Sequence, residues 1–215
     1  MAKLILDIST SLDGFIAGPN PGLEHPLGEG GEQLHEWAFP TRAFREAHGE
    51  SGGEDSADSK VVEELRGRVG ATVMGRKMFS GGHGPWQEDP NADAWWGDEP
   101  PFGHPVFVLT HHEREPVTKR GGTTFTFVTD GIESALEQAR AAAGDKDVQV
   151  GGASVAQQYL KAGLLDEIGL HVVPVLLGDG VRLFENHLGA RAPAVECTGV
   201  IESPNVIHLR YRVVR

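Results

Sequence analysis

The chain has 215 residues, enough for one large domain or two small ones. Its 19 Lys and Arg against 31 Asp and Glu give a formal charge of −12, which argues against a basic phosphate-tracking stripe and against nucleic acid as partner. One cysteine, Cys197, excludes an internal disulfide and any cysteine-based zinc or iron–sulfur site, and no apolar run reaches the roughly 18–20 residues of a membrane span.

Lys3 to Ser9 reads as a buried strand built on Leu4, Ile5, Leu6 and Ile8. The opening run is too short for a signal peptide's apolar core, so it is read as strand and the protein is expected in the cytoplasm. Leu12 to Asn20 is a turn-rich continuation. Residues 21–58 are poor in apolar side chains and form a first insertion. Within it, Gly31 to Phe39 fits a short helix with Leu34, Trp37 and Ala38 on one face, while Glu46 to Ser59 reads as an exposed or mobile excursion. Asp58 or Ser59 caps a helix running to about Val69, on Val61, Val62, Leu65 and Val69.

Ala71 to Met74 is a short strand, and Gly75 to Phe79 starts a turn or helix. A second insertion, rich in Gly, Pro and Trp, covers 80–104. Strands follow at Pro105–Thr110 and Thr123–Thr129, then a helix at Ile132–Ala143 ended by Gly144. Val148–Val150 is a strand, Ala153–Ala162 a helix ended by Gly163, and Ile168–Val175 a strand. Two more strands lie near Ala194–Ile201 and Val206–Val213. This alternation predicts a single α/β domain over 1–215, with a mostly parallel central sheet and an antiparallel C-terminal edge.

Five places carry chemistry. In Val150-Gly151-Gly152-Ala153-Ser154-Val155 a strand turns through two glycines into a helix, whose free N–H groups and partial positive charge suit a phosphate. A plain tight turn explains the same pair. In Val73-Met74-Gly75-Arg76-Lys77 a strand end meets two cations, a guanidinium fork and a point charge, and a solvated surface pair is the competing reading. Two such strand ends fit a ligand with separated phosphates, although the GxGxxG fingerprint is missing. Thr110 and His111 end another strand and either meet an adenosine end or form a solvated turn; no metal site is expected from His111 and His112. Asp13 follows the first strand, where α/β sheets gather ligands, and it either orients a substrate and relays a proton or simply makes a turn with Gly14. Glu36 and Trp37 lie in the first insertion, which could fold over a pocket as a substrate wall; ordinary loop or core packing is the competing reading.

Four blocks resemble the dihydrofolate reductase-like superfamily, and within it the C-terminal reductase domain of the bifunctional riboflavin-biosynthesis deaminase/reductase. They are Ser11-Leu12-Asp13-Gly14-Phe15-Ile16-Ala17-Gly18, Val73 to Lys77, Val108-Leu109-Thr110, and a long block. The long block runs from Val150-Gly151-Gly152 through Ala162-Gly163-Leu164-Leu165-Asp166-Glu167 to Pro174-Val175-Leu176-Leu177-Gly178-Asp179-Gly180. The resemblance implies a three-layer α/β/α fold and an NADPH-dependent reductase. It would pass a hydride to a pteridine-like or ribosylaminopyrimidine-like small molecule, by a dihydrofolate reductase-like or 5-amino-6-(5-phosphoribosylamino)uracil reductase-like activity. It also implies that Gly75, Arg76 and Lys77 hold cofactor phosphates and that Thr110 and His111 lie near the adenosine. Gly151, Gly152, Ala153, Ser154 and Val155 would line the pyrophosphate, and Ile16, Ala17 and Gly18 would face the nicotinamide. Family members dimerise, so a homodimer is expected. The deaminase half is absent, since no HxE and PCxxC zinc signature occurs. A non-catalytic NADPH-binding or nucleotide-binding protein with an altered substrate pocket is the alternative.

Overall fold

A computed structural model describes residues 2–93, 95–185 and 193–214. Its frame is a nine-stranded sheet, in the order β10-β11-β8-β1-β7-β3-β4-β6-β5. The strands are β1 (Leu4–Ser11), β3 (Val69–Gly75), β4 (Pro105–Leu109), β5 (Val117–Thr118), β6 (Thr124–Val128), β7 (Asp147–Gly151), β8 (Glu167–Val173), β10 (Ala194–Ser203) and β11 (Val206–Val214). From β8 through β1, β7, β3 and β4 to β6 every pairing is parallel. The pairs β8–β11 and β11–β10 are antiparallel, as the C-terminal edge was expected to be. The far edge is antiparallel too, through β5 on β6, which the sequence pattern did not reveal.

Side chains alternate across this sheet, and the alternation sorts the core into two faces. On one face Leu4 and Leu6 of β1, Ala71 and Val73 of β3, Phe107 of β4 and Val148 and Val150 of β7 pack under α4 (Ile132–Ala143) and α5 (Ala153–Lys161). Each fully buried aliphatic side chain there contributes about 1.5–3 kcal/mol. The other face has two parts. Met74, Val106, Val108 and Phe125 meet Phe79 of α3 (Arg76–Ser80), together with Trp86, Trp96 and Phe102. Val173 and Val206 meet Leu34, Trp37 and Ala38.

Both insertions therefore supply core. Trp86, Trp96 and Phe102 of the second one close the lower face over β3, β4 and β6. The first carries a short helix, α1 (Arg42–Ala47), capped by the Thr41 hydroxyl, which accepts from the Phe44 N–H. Its exposed stretch ends one turn earlier than expected. Helix α2 (Ala57–Arg68) starts behind Ser56, whose Oγ accepts from the Ser59 N–H at 3.1 Å. Asp58 consequently lies inside the first turn, where its charge suits the helix dipole. Ser59 is buried and accepts from the Ala43 N–H, linking α2 to α1.

A second, small sheet pairs β2 (Phe15–Ala17) with β9 (Val181–Arg182). It explains two sequence blocks at once. A Cβ at Gly180 would stand 2.1 Å from the Ala17 carbonyl oxygen, and one at Gly18 would stand 1.9 Å from that of Glu29. Only glycines let the 15–18, 28–31 and 178–182 segments pass this closely. No helix of the described residues is long and apolar enough to cross a membrane.

Candidate functional site

The carboxyl ends of the parallel strands are where an open α/β sheet leaves room for a ligand. There β3 and β7 are neighbours, with Met74 opposite Gly151. The two glycine-marked strand ends singled out from sequence thus lie side by side. A Cβ at Gly75 would touch Val155 Cγ2 at 3.0 Å, and one at Gly151 would press on Met78 Sδ at 2.7 Å. Gly152 has φ 86°, a conformation that strains any other residue, and no side chain caps the start of α5. The first N–H groups of that helix are therefore turned toward the strand ends with no intrahelical acceptor. Ala153 and Val155 are buried, and Ser154 is exposed beside them.

The two cations separate in role. Lys77 is exposed and makes no ion pair among the described residues. Arg76 is not part of a solvated surface pair, the competing reading of its position. Its Nη2 donates to Asp89 Oδ2 at 2.5 Å, its Nε donates to Ser80 Oγ at 3.1 Å, and its guanidinium lies 3.2 Å above the centre of the Trp86 ring. Asp89 also accepts from the Ser80 hydroxyl and from the Asn91 N–H. These donors hold its carboxyl below the usual range although burial opposes them. Arg76 Nη1 is buried and has no hydrogen-bond partner. The guanidinium is committed to the second insertion on two nitrogens and uncommitted on the third. Asp89, Trp86 and Ser80 were missed in sequence, because nothing local links position 76 to position 89.

Thr110 follows β4, with its Oγ accepting from the His112 N–H at 3.1 Å, and His111 is exposed at the same edge. The His112 carbonyl accepts from the Trp86 indole at 2.9 Å, so the second insertion also fixes this corner.

Asp13 makes a turn that ties two loops together. Both its oxygens are occupied: Oδ1 accepts from the Ser11 hydroxyl at 2.6 Å and from the Leu177 N–H at 3.2 Å, and Oδ2 from the Gly178 N–H at 2.7 Å. The Ser11 hydrogen bond and the two backbone donors hold it down at about 2, so it is ionised at neutral pH. It pins the β1–β2 turn to the loop after β8. Arg182 reinforces the joint, donating to the Asp13 carbonyl at 2.8 Å and covering the Phe15 ring.

Trp37 follows its core-packing reading. Its ring is buried among core residues and its one N–H is already donated to Ser9 Oγ at 3.0 Å, so it does not present a wall to substrate. Glu36 beside it is exposed. Ile16 belongs to the main core and Gly18 lies buried under the 28–31 turn, so of 16–18 only Ala17 keeps partial exposure. A cavity of about 290 Å³ lies away from all these residues, beneath α2, lined by Asp7, Glu64, Arg68, Glu167 and Arg210 among others.

Residues 2–209 match the family model of the RibD C-terminal domain. The chain belongs to that family. Among relatives, the uncharacterized protein YyaP of Bacillus subtilis (strain 168) is 26% identical over 191 residues, covering 85% of this chain and 80% of that protein. A Shewanella sp. PV-4 structure named for riboflavin biosynthesis superposes with a TM-score of 0.64 at 23% identity, covering 100% of each chain. The Thermotoga maritima deaminase/5-amino-6-(5-phosphoribosylamino)uracil reductase superposes with a TM-score of 0.57 at 17% identity, over 99% of this chain and 57% of that one. These solved structures share the fold of this chain.

Proposed function

We propose that this RibD C-terminal domain protein is an NADPH-dependent reductase acting on a small pyrimidine-like or pteridine-like molecule. The observation that carries the reading is the juxtaposition of Gly75–Lys77 with Gly151–Val155 at adjoining parallel strand ends. The residues fit a phosphorylated dinucleotide. Lys77 offers an uncommitted charge, Arg76 Nη1 an unpartnered buried donor, and the uncapped start of α5 a set of N–H groups. Gly75 and Gly152 remove side chains where a phosphate would approach the backbone.

When bound, the nicotinamide supplies the hydride. The protein's own part is orientation and exclusion of water. The Asp13 joint holds the β1–β2 turn against the loop after β8, and the Arg76–Asp89–Trp86 cluster holds the β3 end against the second insertion. Both joints fix the walls of the site before a ligand arrives. With Asp13 ionised and pinned, no side chain of this set is assigned as proton donor.

The test is calorimetric titration with NADPH and NADH, followed by NADPH oxidation with a panel of ribosylaminopyrimidines and dihydropteridines. Tighter binding of NADPH than NADH and turnover on one panel member are expected. Binding without turnover on any member points to the non-catalytic alternative, and no binding of either nucleotide refutes the reading.

A homodimer is part of the same proposal. Val195, Val200 and Ile207 are all exposed on the β10–β11 edge. Their cross-strand partners place them on the face away from α2, which offers a second copy an apolar strip. Sedimentation of the V200E variant as monomer beside a dimeric parent is the expected outcome; a monomeric parent refutes it.

A further inference from the structure

Away from the strand ends, on the face covered by α2, four side chains form one hydrogen-bonded chain. Strand register gathers three of them: Asp7 of β1 lies opposite Gly169 of β8, and His171 of β8 lies opposite His208 of β11. Asp58 enters from the first turn of α2. Asp7 Oδ1 lies 2.7 Å from His171 Nε2, His171 Nδ1 lies 2.8 Å from His208 Nδ1, and His208 Nε2 lies 2.9 Å from Asp58 Oδ1. The rings are 6% and 1% exposed. The Ser203 hydroxyl closes the Asp58 end, and Gly169 makes room at the other, where a Cβ would stand 2.3 Å from Asp7 Oδ2.

A proton count decides what this chain holds. Each of its three contacts joins two atoms that repel through lone pairs unless a proton lies between them. Two neutral imidazoles bring two N–H protons. If both face the carboxylates, the two Nδ1 atoms oppose each other bare at 2.8 Å. If one moves to the Nδ1 contact, an Nε2 faces a carboxylate bare. A third proton satisfies all three contacts. A fourth, on two imidazolium rings, sets N–H against N–H.

We propose that this cluster is a proton-binding site, in which His171 and His208 share three N–H protons as one imidazolium–imidazole pair held by Asp7 and Asp58 through neutral pH. Burial, with the charge on His171, holds His208 below the usual imidazole range against the upward pull of Asp58 and Asp7, which keeps the pair from taking two charges. The other groups facing the pair do not supply the proton. His35 is held at about 4 by burial and by His171. On the α2 side Arg210 forks onto Glu64 at 2.9 and 2.7 Å, and Arg68 is bound to Asp147 and Glu167. Trp37 lies against both rings, 4.9 Å from each, and its N–H reaches Ser9 in β1. The shared proton thereby joins β1, β8, β11, α2 and the first insertion.

Unfolded histidine titrates near about 6.5, so above that pH the folded chain keeps a proton that the unfolded chain has lost. The site then lowers the folding equilibrium constant about tenfold for each pH unit of rise, until the cluster releases its proton. The direct test is NMR of the full chain labelled with ¹⁵N-histidine at pH 8. The expected result is three ring N–H protons over His171 and His208, one of them coupled to both Nδ1 nitrogens. Two ring N–H protons at pH 8 overturn the proposal. In Asp58→Asn one of the two carboxylates holding the charge is gone, so release of the shared proton moves to lower pH, and an unmoved release pH overturns the role given to Asp58. Should that variant not fold, the parent spectrum alone decides.

Discussion

Asp89→Ala tests whether the second insertion is fastened to the site by a desolvated ion pair. The Asp89 side chain is 1% exposed and that of Arg76 10%. The substitution removes the acceptor of Arg76 Nη2, of the Ser80 hydroxyl and of the Asn91 N–H together. It leaves Arg76 with Ser80 and the Trp86 face as its remaining partners. Removing one member of a buried pair costs about 3–5 kcal/mol. For a chain of this size that corresponds to a fall in Tm of roughly 6–20 °C, at about 2–4 °C per kcal/mol. The pH dependence gives an independent readout. Asp89 is held below its unfolded value, so its contribution is present above the unfolded carboxylate range near about 3.9 and is lost as pH falls through the folded value. The parent should therefore lose stability relative to Asp89→Ala as pH drops below about 4. Urea denaturation of both proteins at pH 7 and in the acid range measures this. A loss under about 1 kcal/mol at pH 7, the size found for exposed pairs, would refute the claim that the pair is desolvated.

Three further outcomes are expected. Lys77→Ala weakens NADPH by about 10–100-fold, the worth of one hydrogen bond to a charged group, while leaving Tm unchanged; equal NADPH affinity by calorimetry removes Lys77 from the site. Asp13→Asn lowers Tm by loosening the 177–178 joint but leaves the pH profile of turnover unchanged from pH 5 to 8, since Asp13 is already ionised there; a profile step that vanishes in the variant would return Asp13 to proton transfer. Gly180→Ala is expected to cost more than Gly144→Ala in urea denaturation. Both positions have positive φ, but Gly144 has open space around it, whereas a Cβ at Gly180 meets the Ala17 carbonyl at 2.1 Å. Gly144→Ala should cost only the strain of its own positive-φ backbone, and a similar loss at both sites would contradict the close approach of β2 and β9.

Much of the fold was legible because its signals are local. The run Leu4–Ile8, the helical repeat of Val61, Val62 and Leu65, and Gly144 and Gly163 behind α4 and α5 each report an element through a period or a backbone conformation. The site was legible in part for the same reason, since Gly75 and Gly151–Gly152 mark strand ends. Strand β5, two residues long, and helix α1, six residues long, carry too short a pattern to be recognised. The insertions misled because composition reports average polarity. Leu34, Trp37, Trp86 and Phe102 are few, yet each is placed to fill core.

The sequence by itself determined the α/β architecture, the two glycine-marked strand ends and the family, since these depend on residues close together in the chain. Only the tertiary structure decided what the charged side chains do. Asp13 meets Leu177 and Gly178, Arg76 meets Asp89, and Asp7 reaches Asp58 through His171 and His208. A charge takes its role from the partner and the dielectric around it, and both are set by strand register and packing between segments up to 165 residues apart.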